Sequence, residues 1–76
     1  MNNELLDKLQ HQFAERLSSL RDDGYRVQVE SYLPYLWFVK LRHGSNGNRI
    51  ILRCWPHDGK IEQETNHICV HRETLV

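Results

Sequence analysis

Histidine and cysteine crowd the last third of the chain. His67-Ile68-Cys69-Val70-His71 alternates, and Cys54 and His57 lie upstream. On a strand, His67, Cys69 and His71 would share a face. Imidazole nitrogen and thiolate sulfur are the donors that zinc takes in tetrahedral sites. The spacing Cys54-x-x-His57 followed by His67-x-Cys69 has a two-plus-two form but fits no zinc motif. Alternation also turns Cys54 towards the core of its own strand, which leaves His57, His67, Cys69 and His71 as the residual metal candidates. A buried free cysteine with surface histidines is the preferred reading, so no metal and no cofactor is assigned. A cysteine–histidine dyad drawn from the same residues lacks a group to orient it. The chain has no glycine-rich phosphate loop and no nucleophile elbow. Chains this short seldom build a deep pocket, and the expectation is a protein that is not an enzyme.

The second constellation lies between Trp37 and Trp55. Two alternating runs flank Gly44-Ser45-Asn46-Gly47, a strong hairpin signal. Alternation sends Trp37, Val39, Leu41, Ile50, Leu52 and Cys54 one way and Phe38, Lys40, Arg42, Arg49, Ile51, Arg53 and Trp55 the other. The first set reads as core. The second mixes cations with aromatic and apolar side chains, and Arg26 and Tyr32 are expected beside it. Cations next to aromatic rings can neutralise phosphates and stack on bases. Exposed Lys and Arg with sheltering stems are also ordinary on a sheet. Phe38, Ile51 and Trp55 are more apolar than a solvated face requires, which favours contact with a protein.

The remaining elements must hold this hairpin. Leu6, Leu9, Phe13, Leu17 and Leu20 recur at spacings of three and four, and Leu5 widens the stripe; a helix is predicted over residues 3–22. Asn2 or Asn3 can cap it, and Gly24 can stop it. The stripe has the width of a partner-binding seam, but covering the sheet is its expected use. Tyr25, Val27 and Val29 then alternate with Arg26, Gln28 and Glu30 as a first strand. Strands follow at about 36–43 and 48–55. The hairpin between them closes either on Asn46-Gly47 or on residues 44–47, and both registers keep the same faces. Asp58-Gly59 is expected to centre a second turn, with Glu62 opposite Trp55 and Glu64 opposite Arg53. A strand returns from Ile61 to Glu64. Ile61 has the opposite parity to Ile68 and Val70, so a bulge or break is expected near Thr65-Asn66. A last strand competes there with a helix capped by Asn66, and the β-branched residues favour the strand.

The expected fold is α+β. One N-terminal amphipathic helix packs on one face of a three- to four-stranded antiparallel sheet, in the order α-β-β-β-β, as a single domain over residues 1–76. One helix shields one face, so the other face is left uncovered. The order helix–strand–strand–strand resembles that of double-stranded-RNA-binding domains. This chain has no Lys-rich start to a second helix and an acidic tail, and no residue role carries over.

Charge narrows the choice of partner. The chain has no net charge, which disfavours a strongly electrostatic nucleic-acid binder. Residues 1–23 carry Lys8, Arg16 and Arg21 against Glu4, Asp7, Glu15, Asp22 and Asp23, a net −2. Residues 24–56 carry Arg26, Lys40, Arg42, Arg49 and Arg53 against Glu30, a net +4. Residues 57–76 return to −2. The positive middle is a local patch or is neutralised by the ends within the fold. No apolar run approaches the roughly 20 residues that span a bilayer, and no secretory signal is visible. A cytoplasmic protein with unpaired cysteines is expected. The functional expectation is a small protein-interaction or regulatory module that binds through its uncovered face, as a homodimer or with another protein. Single-stranded nucleic acid on the same face is the alternative.

Overall fold

The leucine stripe forms helix α1 (Asn3–Asp22), followed by β1 (Tyr25–Leu33), β2 (Leu36–His43), β3 (Arg49–Trp55), β4 (Lys60–Thr65) and β5 (Ile68–Thr74). These coordinates are a computed structural model and describe residues 3–75. Capping by Asn2 lies outside the described residues. The strands form one antiparallel sheet in the order β1-β2-β3-β4-β5, so each pairs only with its neighbours in sequence. The expected helix-on-sheet architecture is present with five strands rather than three or four. The extra strand comes from the tail. Asn66 (φ 51°) and His67 (φ 71°) both take left-handed conformations and reverse the chain in two residues. That is the geometry of a tight hairpin turn, which asparagine tolerates well. No helix among the described residues is long and apolar enough to cross a membrane.

The core lies between α1 and one face of the sheet. Leu9, Phe13 and Leu20 meet Trp37, Val39, Leu41, Ile50, Leu52, Cys54 and Ile61, all buried. Phe13 anchors the contact edge-on to Trp37, with ring centroids 5.7 Å apart. Each fully buried aliphatic side chain contributes about 1.5–3 kcal/mol relative to exposure. A polar link extends the packing sideways. Arg16 donates to Gln63 Oε1 at 3.1 Å and reaches His71 Nε2 at 3.0 Å, tying the helix to β4 and β5.

Two registers were open or different at the level of sequence. The β2–β3 hairpin closes on the four residues 44–47, so Arg42 lies opposite Arg49. The β3–β4 connection also uses four residues, 56–59, rather than Asp58-Gly59 alone. Pro56 fits the first inner position of a turn closed by Asp58 N–H donating to Trp55 O, and Gly59 takes the left-handed exit at φ 66°. The register therefore moves by two residues. Glu62 lies opposite Arg53, and Lys60 lies opposite Trp55.

β1 breaks the alternation. Its register shifts between Val27 and Val29, leaving Gln28 as the extra residue of a bulge. Val29, expected beneath the leucine stripe, turns to the other face opposite Lys40 and is 50% exposed. Tyr32, expected on the open face, turns to the helix side, edge-on to Phe13 with centroids 6.4 Å apart. A bulge shifts parity by one, so every residue after it changes face.

His43 joins the two ends of this framework. Its Nδ1 accepts the backbone N–H groups of Ser45 and Asn46 at 3.0 and 3.2 Å. That leaves the proton on Nε2, which donates to Asp23 O at 2.8 Å just beyond the helix. Gly24 sits against this ring at φ +102°, where an added Cβ would meet His43 Nε2 at 2.8 Å. Gly24→Ala should cost more than about 1 kcal/mol, because both the backbone conformation and the space forbid a methyl. Gly47, at φ +73° with nothing within 4 Å, is the control for backbone strain alone. Thermal denaturation should show a clearly lower melting temperature for Gly24→Ala than for Gly47→Ala.

Candidate functional site

The face turned away from α1 carries all seven residues singled out as a contact surface: Phe38, Lys40, Arg42, Arg49, Ile51, Arg53 and Trp55. Strand pairing arranges them in rows with their neighbours. One row is Arg26, Arg42 and Arg49 across β1, β2 and β3. The next is Val29, Lys40, Ile51, Glu64 and Cys69, and the one after it Ser31, Phe38, Arg53, Glu62 and Arg72. Neighbouring strands lie about 4.8 Å apart, so residues along a row are in contact range.

The two halves of this face differ in electrostatics. Over β4, β5 and the Trp55 end of β3 the charges are paired. Arg53 Nη1 meets Glu64 Oε1 at 2.6 Å, diagonally across the ladder. Glu62 Oε1 accepts from Lys60 Nζ at 3.1 Å and from Arg72 Nε at 2.7 Å. The same cations lie over the rings, Arg53 at 6.0 Å from the Phe38 centroid and Lys60 at 5.0 Å from that of Trp55. The expectation that Glu62 and Glu64 temper the basic face holds, although the register that delivers them is different. On β1, β2 and the start of β3, Arg26, Lys40, Arg42 and Arg49 have no carboxylate within ion-pair distance among the described residues.

Apolar surface runs beside the cations. Val29 and Leu33 on β1 are exposed, and Leu36, Phe38, Ile51 and Trp55 are half-buried by neighbouring side chains. Val29 and Leu33 were not legible as part of this face, because only the bulge puts them there. Gln28, the bulged residue, carried no signal in the sequence at all.

The histidine and cysteine cluster does not assemble. Cys54 is buried in the core, where loss of solvent pushes its thiol up to about 12. It is neither a nucleophile nor a ligand there. His57 lies in the β3–β4 loop and His67 in the β4–β5 turn, both exposed. Cys69 and His71, expected to share a face, do not. A register shift between Gln63 and Glu64 puts Cys69 opposite Glu64 on the open face and His71 opposite Gln63 on the helix side. Cys69 Sγ donates to the His71 carbonyl at 3.5 Å. Among the described residues, no group of three or more His, Cys, Asp or Glu is placed to hold a metal ion.

Glu62 is the one buried charged side chain of this face, 7% exposed. Its cover is the side chains bonded to it, not an overlying element. Loss of solvent raises its pKa, but hydrogen bonds from Lys60 and Arg72, with their charges, outweigh this and hold the carboxyl below its ordinary value. A lowered folded-state pKa stabilises the fold fully above the unfolded value of 4.5, and this is lost as pH falls through the folded value. Glu62→Gln should therefore melt at a lower temperature than the parent at neutral pH. The gap should narrow as pH drops below 4.5. Melting curves across the acid range check both signs. A gap that stays constant would mean that the charge of Glu62 contributes nothing.

No family model, curated protein or solved structure matches this chain, so its function is read from this face itself.

Proposed function

We propose that the chain is a small, non-enzymatic binding module that docks a protein on its uncovered sheet face. One observation carries this reading: Val29, Leu33, Leu36, Phe38, Ile51 and Trp55 lie on this one face across three strands, interleaved with Lys40 and Arg53 and flanked by Arg26, Arg42 and Arg49, which have no ion-pair partner among the described residues. An apolar centre with a charged rim is the anatomy of a protein contact. Arg and Trp are the side chains that most often anchor such contacts.

The surroundings of the rings favour this over nucleic-acid binding. Single strands are held by stacking bases on free aromatic faces. Phe38 and Trp55 already have Arg53 and Lys60 over their rings. A second copy of the chain fits less well than a different protein. A two-fold interface sets the same patch against itself, and each copy brings the same four unpaired cations. Cys54 supports a binding role rather than a covalent one, since it is sealed in the core.

A photocrosslinking side chain at Ile51, compared with one at the exposed helix residue Lys8, tests this in cells that make the protein. The expected result is a discrete protein adduct from Ile51 that Lys8 does not give. An adduct of twice the 9.1 kDa chain mass would replace this reading with self-association. Adducts to nucleic acid alone, or equal labelling from both positions, would overturn it.

A further inference from the structure

We propose that the depression at the β1 bulge receives carboxylates from an acidic segment of the docked protein. The proposal rests on the reading of the open face as protein-binding and specifies which chemistry its basic side accepts. The depression has a volume of about 330 Å³ and is lined by Gln28, Val29, Lys40, Leu41, Arg42 and Arg49. Three of these six are cations. Arg26 lies next to Arg42 in the ladder, at the rim.

Three observations combine. First, the fold creates the concavity. The bulge leaves Gln28 unpaired opposite β2, and bulges kink a strand and recur beside binding sites. Gln28 adds an amide donor to the lining. Second, Arg26, Arg42 and Arg49 lie directly opposite one another, which destabilises a sheet unless an anion intervenes. Third, the chain pairs the other cations of this face and not these. Its two carboxylates here, Glu62 and Glu64, are committed to Lys60, Arg72 and Arg53. The unpaired set is therefore confined to one place.

Guanidinium groups bind planar carboxylates through two parallel N–H donors, and an ammonium adds a point charge. Val29 lies in the same depression, with Ile51 beside Lys40 in the ladder. The matching segment carries acidic residues flanking apolar ones. A nucleic acid would satisfy the cations but leave this apolar wall unmatched.

Nuclear magnetic resonance titration of the full chain tests this with hexaglutamate as probe and oligothymidylate as comparison. At low salt, hexaglutamate should shift the resonances of Gln28, Lys40, Arg42 and Arg49 and leave those of Lys8 and Arg21 in place. Arg42→Gln with Arg49→Gln should weaken binding about tenfold or more. The same spectra show whether the variant is folded, and Arg49→Lys, which keeps the charge, is the fallback if it is not; it should bind more weakly than the parent because it lacks the fork. Absence of shifts, shifts spread over every cation, or tighter binding of oligothymidylate would overturn the proposal. Repeating the Ile51 crosslink in the double variant separates the two levels. If the protein adduct persists undiminished, the acidic-segment proposal fails and the docking face stands. If the parent gives no protein adduct, the docking face itself fails.

Discussion

A helix has one apolar stripe and a sheet has two faces. With a single helix among the described residues, α1 closes one side of five strands and leaves the other to organise its own side chains. Much of the rest follows from this limit. The outward residues of β4, β5 and the Trp55 end of β3 solve the problem by pairing with one another, with Glu62 held between Lys60 and Arg72 and with cations laid over Phe38 and Trp55. That half is stabilised from within. Arg26, Lys40, Arg42 and Arg49, on β1, β2 and the start of β3, lack such partners among the described residues, and Val29 is exposed beside them.

The bulge in β1 decides what that side presents. One extra residue, Gln28, moves Val29 out from the core side and Tyr32 in against Phe13. The core gives up a valine and gains an aromatic edge contact. The open face gains an apolar residue beside Lys40 and a concavity next to Arg42 and Arg49. Arg42 also precedes a residue with three hydrogen bonds. The next residue, His43, fixes the β2–β3 loop and the end of the helix at once. The basic row therefore stands on a rigid support rather than on a loop, which suits a preorganised contact.

Much of this was legible in the sequence, and the exceptions have a common cause. The helix, the hairpin and the two faces of β2 and β3 follow from apolar periodicity, which does not depend on register. The β3–β4 register was off by two because Asp58-Gly59 is a good two-residue turn in isolation, whereas Pro56 starts the reversal earlier. Val29, Tyr32, Cys69 and His71 were assigned to faces by extending alternation through bulges. A bulge depends on which partner residues fit across the ladder; the parity change between Ile61 and Ile68 points to an irregularity near the β4–β5 turn, but nothing local marks the one at Gln28. The fifth strand was left open for a similar reason, since Asn66 can cap a helix or take a left-handed turn. The four unpaired cations were visible as residues, but their lack of partners was not. It depends on Glu62 and Glu64 bonding to Lys60, Arg72 and Arg53 instead.

The simple strand order has a consequence for how the molecule comes apart. Every strand pairs only with the one before and after it, so forming the sheet requires only short loop closures, which favours rapid assembly. The same order puts β5 at one edge of the sheet and β1 at the other. β5 is bound through one ladder to β4, with Arg16 to His71 as the side-chain link from the helix. Its exposed Ile68 and Val70 contribute little to the core. Loss of the β4–β5 ladder would expose the backbone groups of β4 and free Glu62 from Arg72, without breaking any contact between β1, β2 and β3 that forms the basic row.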